Sequence, residues 1–423
     1  MSEAYNRGVE WIDTIPCHWQ TSRIGHLYTE RKEKVSDRDF APLSVTMKGI
    51  LPQLSTAAKT DAHDDRKLVR IGDFAINSRS DRRGSCGISP YDGSVSLINT
   101  VLIPRGEMHP RYYDWLFHST MFSDEFYKWG HGIVDDLWTT NWQDMKRISV
   151  PVPPFAEQRR IADFLDRRCA EIDGVIEATK KTIEEYKALK QSIITETVTK
   201  GVRGERPMKD SGIEWIGEIP EEWEVSRVGL HFEIILGKML CSEQQTNEQS
   251  LEKYFCAANV HFEGISDMKI LKKMWFSPAE KQLYAVKNGD LLVVEGGAGA
   301  GGSAIVCELI ETAYVQNSIM IVRAKDQQDN RYLRYLLEYL VKQGYIDVVC
   351  NKATIPHFTK DKLANVPYPV MSSEEQTMIA DYLDRNCLGI DQIVVAKQTL
   401  LSELETYKKS VIYEYVTGKR EVK

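Results

Sequence analysis

Two long stretches of the chain carry apolar residues at spacings of three and four, which is the pattern of an amphipathic helix. The first stripe consists of Ile161, Leu165, Cys169, Ile172, Ile176, Thr179, Ile183, Tyr186 and Ile193. The second stripe consists of Ile379, Leu383, Cys387, Ile390, Val394, Leu401, Leu404 and Val411. Glutamate, lysine and arginine fill the other faces. Because a lone amphipathic helix cannot bury its stripe, the pattern predicts two long helices that pair with each other.

The segments that precede these helices have a mixed pattern. Residues 111–122 and 331–343 have the spacing of short helices. Residues 286–295 and 303–307 are predicted strands on either side of a glycine-rich loop. The second long helix begins at a candidate capping box, Ser372 to Glu375. Each segment is therefore expected to be a mixed α/β domain.

The chain repeats itself. Residues 8–25 and 212–229 are identical at ten of eighteen aligned positions, and residues 157–173 and 375–391 are identical at eleven of seventeen. The intervening stretches share only sparse landmarks, such as Gly72-Asp73 and Gly289-Asp290. Two domains that share a framework but read different targets would show this pattern. Duplication followed by drift also explains the repeat, but not why divergence is confined to the inserts.

The repeat defines five segments. Residues 1–154 and 212–371 each combine a shared block with a divergent domain, and residues 155–200 and 372–423 are the long helices. The polar stretch 201–211 is the linker between the halves.

Composition narrows the class of protein. The 423 residues are 42% hydrophobic and 27% charged, without a run of 18 apolar residues, so no membrane span is expected. The N-terminal sequence lacks an apolar signal core, so we expect no secretion. The eight cysteines form no Cys-x-x-Cys pair and the nine histidines are scattered, so neither structural zinc nor a disulfide framework is predicted. A reducing cytoplasm is consistent with this usage.

Charge leaves the question of nucleic-acid binding open. A net charge of −7 argues weakly against it, because phosphates attract lysine and arginine. Local patches decide binding, however, and residues 66–83 and 269–287 are rich in basic side chains. The alternative is that both clusters are ordinary solvated surface.

Two tempting motifs do not indicate catalysis. Gly297 to Gly302 matches G-x-G-x-x-G, but the sequence that follows has the pattern of a strand rather than of the helix that a dinucleotide site needs. Val152 to Phe155 is one residue from the Asn/Asp-Pro-Pro-Tyr/Phe motif of amino-methyltransferases, but valine cannot accept a hydrogen bond from the target amine. We interpret the first motif as a hairpin loop and the second as a turn.

The doubled blocks resemble the specificity subunit of Type I restriction-modification systems. The resemblance rests on residues 8–19 with 212–223 and on residues 157–166 with 375–384, and it extends over nearly the whole chain. It implies an α+β fold in which two mixed α/β target-recognition domains are separated by two long antiparallel coiled-coil helices, with a pseudo-two-fold internal repeat. Each domain is then expected to read one half of a bipartite asymmetric site in double-stranded DNA.

The same resemblance implies partners that supply the chemistry. Two methyltransferase (M) subunits would methylate adenine N6 with S-adenosylmethionine, and two restriction-translocase (R) subunits would consume ATP with Mg. We therefore expect no cofactor, no metal and no catalytic residue in this chain, and a location in a prokaryotic cytoplasm. The alternatives are a reader associated with a single-chain methyltransferase-nuclease, and a coiled-coil inhibitor that mimics DNA.

Polar side chains on predicted loops are the candidate DNA contacts, because polar groups read base edges in the grooves. In the first domain they are Ser44, Thr46, Lys48, Ser78, Arg79, Arg82, Arg83, Thr139, Thr140 and Asn141. In the second domain they are Asn259, His261, Glu295, Gly297, Ser303, Asn317, Lys352 and Thr354.

Overall fold

The chain folds as two units, and the boundary between them falls inside both long helices. The computed structural model describes residues 4–5, 9–54, 63–79, 82–132, 138–266, 268–325, 327–350 and 356–422. Unit 1 contains residues 1–181 and 397–423, and unit 2 contains residues 182–396. Each unit therefore includes part of both long helices.

The first half of the chain forms thirteen described strands, four short helices and a long helix. In chain order they are β1 (Ala4–Tyr5), β2 (Ile15–Pro16), β3 (Gln20–Arg23), α1 (Ile24–Leu27), β4 (Tyr28–Glu30), β5 (Lys34–Val35), β6 (Leu43–Thr46), β7 (Gly49–Pro52), β8 (Arg66–Val69), β9 (Phe74–Asn77), β10 (Cys86–Ile88), β11 (Gly93–Val95), β12 (Asn99–Pro104), α2 (Pro110–His118), α3 (Thr120–Lys128), α4 (Trp142–Met145), β13 (Ser149–Val152) and α5 (Phe155–Lys200).

The second half has the same mixture of elements. In chain order they are β14 (Met208–Asp210), β15 (Glu218–Pro220), β16 (Glu224–Arg227), α6 (Val228–His231), β17 (Phe232–Leu236), β18 (Ser250–Phe255), β19 (Val260–His261), β20 (Gly264–Ile265), β21 (Lys272–Phe276), α7 (Pro278–Tyr284), β22 (Leu291–Val294), β23 (Ser303–Ile305), β24 (Tyr314–Val315), β25 (Ile319–Ala324), α8 (Asn330–Lys342), α9 (Tyr345–Val349), α10 (Lys360–Ala364), β26 (Pro367–Val370) and α11 (Ser373–Val416).

The two units repeat one sheet plan. Unit 1 has a four-stranded sheet in the order β10-β9-β12-β4, and unit 2 has one in the order β23-β22-β25-β17. In each unit a short ladder, β3 with β13 or β16 with β26, leads into the following long helix. This mixed helix-and-strand architecture with two long helices confirms the predicted fold class.

A buried aspartate marks the same turn in both sheets. Asp73 accepts a hydrogen bond from the backbone N–H of Arg70 at 2.8 Å, and Asp290 accepts one from the N–H of Lys287 at 2.8 Å. The glycine before each aspartate has a positive φ, +89° and +87°, a conformation that glycine adopts without strain. The sparse landmark shared by the two inserts is therefore a structural turn.

In each unit, the end of one long helix is fastened to the globular domain by a buried tyrosine. The Tyr112 hydroxyl of α2 donates to the carbonyl of Val416, in the last turn of α11, at 2.7 Å. The Tyr332 hydroxyl of α8 donates to the carbonyl of Val198, near the end of α5, at 3.0 Å. These bonds satisfy carbonyl groups that a helix end leaves without an internal partner.

The two long helices also contact each other within each unit. In unit 1, Lys408 of α11 pairs with Asp173 of α5 at 2.6 Å. In unit 2, Lys190 of α5 pairs with Asp391 of α11 at 2.7 Å. In unit 1, Phe164 near the start of α5 stacks on Tyr415 at the end of α11. The helices therefore run antiparallel in that unit.

The end of the second long helix meets the N-terminal block, as the repeat predicts. Gly418 follows α11 with a φ of +69°, and a Cβ atom there would lie 2.8 Å from the ring of Trp19. Lys419 pairs with Asp13 at 3.2 Å. The end of α11 therefore packs against the N-terminal block of the first repeat.

Some local predictions need correction. The predicted helix 111–122 is two helices, because Ser119 ends α2 and caps α3 by accepting from the N–H of Phe122. Of the predicted strand 286–295, only Leu291–Val294 is a strand. In the described part of the chain, no helix is long and apolar enough to cross a membrane.

Candidate nucleic-acid interface

In unit 1, two loops that carry candidate residues lie against each other at one end of the sheet. One is the turn between β9 and β10, and the other precedes α4. The N–H of Thr140 donates to the carbonyl of Ser78 at 2.9 Å, and Arg79 forms an isolated β-bridge with Thr139. The structure thus brings together candidates that are about 60 residues apart in the chain.

Unit 2 builds the same junction with different residues. The N–H of Gly297 donates to the carbonyl of Pro356 at 3.1 Å, and Gly296 forms a β-bridge with His357. His357 lies 3.4 Å from the carboxylate of Glu295. The framework of the junction is therefore repeated, whereas the side chains that it displays are not.

A short hairpin packs beside the neighbouring strand in each unit. In unit 1 it is β6–β7, next to β10, where a Cβ atom on Gly87 would lie 2.8 Å from the Cα of Gly49. In unit 2 it is β19–β20, next to β23. The hairpins carry Ser44, Thr46, Lys48 and His261.

The exposed arginines of unit 1 follow β9. Arg79, Arg82 and Arg83 are all exposed. The Arg83 guanidinium carbon lies 3.8 Å from the ring centroid of Tyr127, and its Nη1 donates to the carboxylate of Asp124 at 3.3 Å. Both partners lie on α3, so this short helix fixes the position of Arg83.

A small aromatic pocket of about 20 Å³ lies beneath these arginines. Its lining includes Ser78, Arg79, Arg83 and Thr140 together with aromatic side chains of α2, α3 and the following loop. Trp138 covers one wall, because its Nε1 donates to the carbonyl of Tyr127 at 2.9 Å. The pocket has room for about one water molecule, so it is a packing feature that helps to hold Arg79 and Arg83 in place.

Several candidate residues have structural roles. The Thr140 hydroxyl is buried and donates to the carbonyl of Phe126, and Asn259 is buried and caps the turn that begins at Cys256. Ser303 is fully buried at the start of β23. Asn141 caps α4.

Some of the remaining candidates already use their side chains in hydrogen bonds within the protein. The side-chain oxygen of Asn317 accepts from the side-chain amide of Gln316. Ser44 accepts from the N–H of Leu54, just after its hairpin, and Thr46 accepts from the N–H of Lys48 in the hairpin turn. Lys352 and Thr354 lie outside the described residues.

The wider basic cluster of residues 66–83 is only partly surface. Arg66 is buried and donates to the hydroxyl and carbonyl of Ser94, and Lys67 donates to the carbonyl of Asn99. Burial lowers the pKa of both side chains from their usual values. Both side chains therefore make hydrogen bonds that hold strands of unit 1 together. In the cluster 269–287, by contrast, Lys272 and Lys273 are exposed on β21.

The glycine-rich stretch is a hairpin loop, as expected. It joins β22 to β23, which pair antiparallel, so no helix follows it. Gly297 and Gly301 have φ values of +88° and +83°. Across the described residues, no group of three His, Cys, Asp or Glu side chains has the arrangement of a metal site.

The sequence did not reveal the residues that hold the candidate side chains in position. Asp124 and Tyr127 were not among the candidates, although they hold Arg83. Neither was His357, which joins the loop of Glu295. Aromatic and acidic residues on a short helix carry no recognisable motif, so only the folded arrangement identifies them.

A family model matches the second half of the chain. Residues 220–403 match the family model of the Type I restriction modification DNA specificity domain. The matched segment is less than half of the chain, and over this segment the chain is similar to that family. The match lies in the second repeat and includes the loops of unit 2 described above, and the internal repeat extends the resemblance to unit 1.

One known specificity subunit resembles nearly the whole chain, and a second resembles two thirds of it. The MjaVIII specificity subunit of a Type I restriction enzyme from Methanocaldococcus jannaschii is 24% identical over 432 residues, which cover 97% of this chain and 94% of that protein. A relative in the same organism, which carries the name of the MjaX specificity subunit, is 27% identical over 285 residues. That alignment covers 67% of this chain and 62% of the relative's length.

A solved structure has the same fold. It comes from a study of complex assembly and conformational transition of the Type I R-M system, and it superposes with a TM-score of 0.73 at 16% identity. The alignment covers 96% of this chain and 99% of the solved chain. At this identity the likeness establishes the fold.

Proposed function

We propose that this chain is the sequence-recognition subunit of a Type I restriction-modification complex and reads a bipartite asymmetric site in double-stranded DNA. The observation that carries the proposal is the repeated loop junction. The framework of Ser78 with Thr140 recurs at Gly297 with Pro356, yet one loop displays arginines and the other displays glycines. Two loops on one framework with different chemistry are what two readers of different half-sites need.

The repeated framework also explains how the readers can differ without loss of fold. The turn aspartates, the tyrosine bonds to the long helices and the sheet order are common to both units. The side chains at the loop junction are not part of this set. Sequence specificity can therefore change by substitution in the loops while the packing of the sheets is retained.

The chemistry is assigned to partners. We propose that two methyltransferase subunits use S-adenosylmethionine to methylate adenine N6 on the site that this chain selects, and that two restriction-translocase subunits add an ATP- and Mg-dependent activity. This chain by itself catalyses no step. Its contribution is to position the partners on one DNA sequence, so that base contacts made here determine where methylation occurs elsewhere.

Local chemistry, rather than total charge, supports DNA binding by this chain. The net charge of −7 would repel a duplex if it were spread evenly. Arg79, Arg82 and Arg83 are exposed together at the loop junction of unit 1. Sequence readers need such a patch only where the duplex lies, because phosphate contacts act within about one Debye length of ~8–10 Å.

The test uses the purified chain, its methyltransferase partner and a DNA library with random sequence, together with S-adenosylmethionine. We expect methylation only when both proteins are present, at one bipartite sequence. Methylation by this chain alone would mean that it is itself an enzyme. Inhibition of the methyltransferase by this chain, with no sequence selected, would support the DNA-mimic alternative instead.

A further inference from the structure

Arg83 is held in place by two side chains of a neighbouring helix, although it lies on an exposed turn. Its guanidinium lies 3.8 Å from the ring centroid of Tyr127 and donates to Asp124 at 3.3 Å. Nearly half of the side chain, 47%, remains exposed. A stacked guanidinium loses little further freedom when it binds a planar partner, because its plane is already fixed.

Residues 82–85 of the turn are held by a backbone hydrogen bond and by contact with α3. The N–H of Ser85 donates to the carbonyl of Arg82 at 3.0 Å, and Gly84 takes a φ of +72°. A Cβ atom on Gly84 would lie 3.7 Å from the hydroxyl of Ser123, so the turn rests directly on α3. Backbone and side chain of Arg83 are therefore both positioned by the same helix.

We propose that Arg83 determines specificity by donating two parallel hydrogen bonds to a guanine in the half-site read by unit 1, with Tyr127 and Asp124 as positioning residues. The inference rests on the proposed function and deepens it. A guanidinium presents parallel N–H donors in a rigid fork, and guanine O6 and N7 are two acceptors at matching spacing in the major groove. Stacking on a ring leaves the donor edge of the fork free to face a base.

The carboxylate beside Arg83 favours a base edge over a phosphate. Asp124 offsets part of the guanidinium charge, and it would itself repel a phosphate that approached within a few ångströms. Guanine O6 and N7 carry no net charge, so the repulsion is much smaller. The carboxylate also occupies one N–H group, which leaves the remaining donors to define one direction of approach.

The loop of unit 2 that corresponds to the Arg83 turn has no arginine. Its equivalent loop between β22 and β23 consists of glycine and alanine from Gly297 to Gly302. The proposal therefore assigns a guanine read by arginine to one half-site only. This asymmetry distinguishes a specific reader from a general phosphate clamp, which both units would need equally.

The experiment compares Arg83→Lys with Arg70→Lys in the complete complex, by sequencing the sites that each complex selects and methylates from a random library. Lysine keeps the charge but lacks the fork. Arg70 is a matched control, because it is 44% exposed, pairs with Asp92 at 2.9 Å and lies over Phe40, but it precedes β9 whereas Arg83 follows it. We expect Arg83→Lys to reduce the preference for guanine at one base pair roughly 5- to 100-fold, and Arg70→Lys to leave every position unchanged.

A second pair of measurements keeps the proposal falsifiable. Asp124→Asn should weaken the preference at the same base pair without changing the melting temperature, a position-specific effect that a merely structural role would not produce. The proposal is overturned if the Arg83→Lys complex selects the wild-type sequence. It is also overturned if Arg83→Ala weakens binding to all sequences equally and lowers the slope of log K against log salt concentration by about one, as loss of a phosphate contact would. A wild-type complex that selects no sequence at all would overturn the proposed function together with this inference.

Discussion

Replacement of Tyr112 by phenylalanine tests how the end of the second long helix is fastened. The Tyr112 hydroxyl is fully buried and donates to the Val416 carbonyl at 2.7 Å. Removing it leaves that carbonyl buried without this partner, at a cost of about 1–3 kcal/mol in the free energy of unfolding. For a unit of about 200 residues, each 1 kcal/mol lowers the melting temperature by roughly 2–4 °C.

The adjacent Tyr113 supplies the control. It is equally buried, but among the described residues its hydroxyl has no hydrogen-bond partner. Tyr113→Phe therefore removes a buried polar atom without breaking a bond, and we expect unfolding free energy to be unchanged or higher. Urea denaturation measures both variants, and amide hydrogen exchange in the last turn of α11 should accelerate only in Tyr112→Phe. Equal destabilisation by the two substitutions would refute the assignment of the bond.

Two further predictions follow from backbone geometry and from burial. Gly418→Ala should lower the free energy of unfolding by at least about 1 kcal/mol, because the φ of Gly418 is +69° and the new Cβ would meet Pro16. Gly174→Ala, on the exposed face of α5, should instead raise the free energy of unfolding by about 0.5–1 kcal/mol. Thermal melting of both variants checks these two expectations. Burial raises the pKa of Cys169 and Cys387 to about 11, so only ~0.1% of either thiol is ionised at pH 8. Iodoacetamide at pH 8 should therefore label the exposed Cys307 first, as measured by mass spectrometry, and equal labelling of all three would contradict the packing.

The sequence was most informative about the framework. The apolar stripes predict the long helices because a helix repeats its contacts every three or four residues, and Ile161, Leu165 and Leu383 are indeed buried. The internal repeat predicts that the end of α11 meets the N-terminal block, because the corresponding block in the second half directly follows α5. Both inferences depend on patterns that a single sequence contains.

The candidate interface was harder to predict, because its composition depends on contacts between distant residues. Arg66 has the charge of a DNA contact but is buried against Ser94, which lies 28 residues away. Arg83 was predicted from its charge, but its partners on α3 were not. The break at Ser119 could have been found, since serine is a preferred N-cap residue. Which of the candidate residues contact DNA stays a prediction.

The two units are expected to read DNA independently of each other on one repeated framework. The most direct test of this independence exchanges residues 26–156 for the equivalent stretch of another specificity subunit and sequences the methylated sites of the assembled complex. We predict that one half of the bipartite sequence changes and that the other half stays as it was. If both halves change together, or if neither changes, the two units do not read DNA separately and the account is wrong.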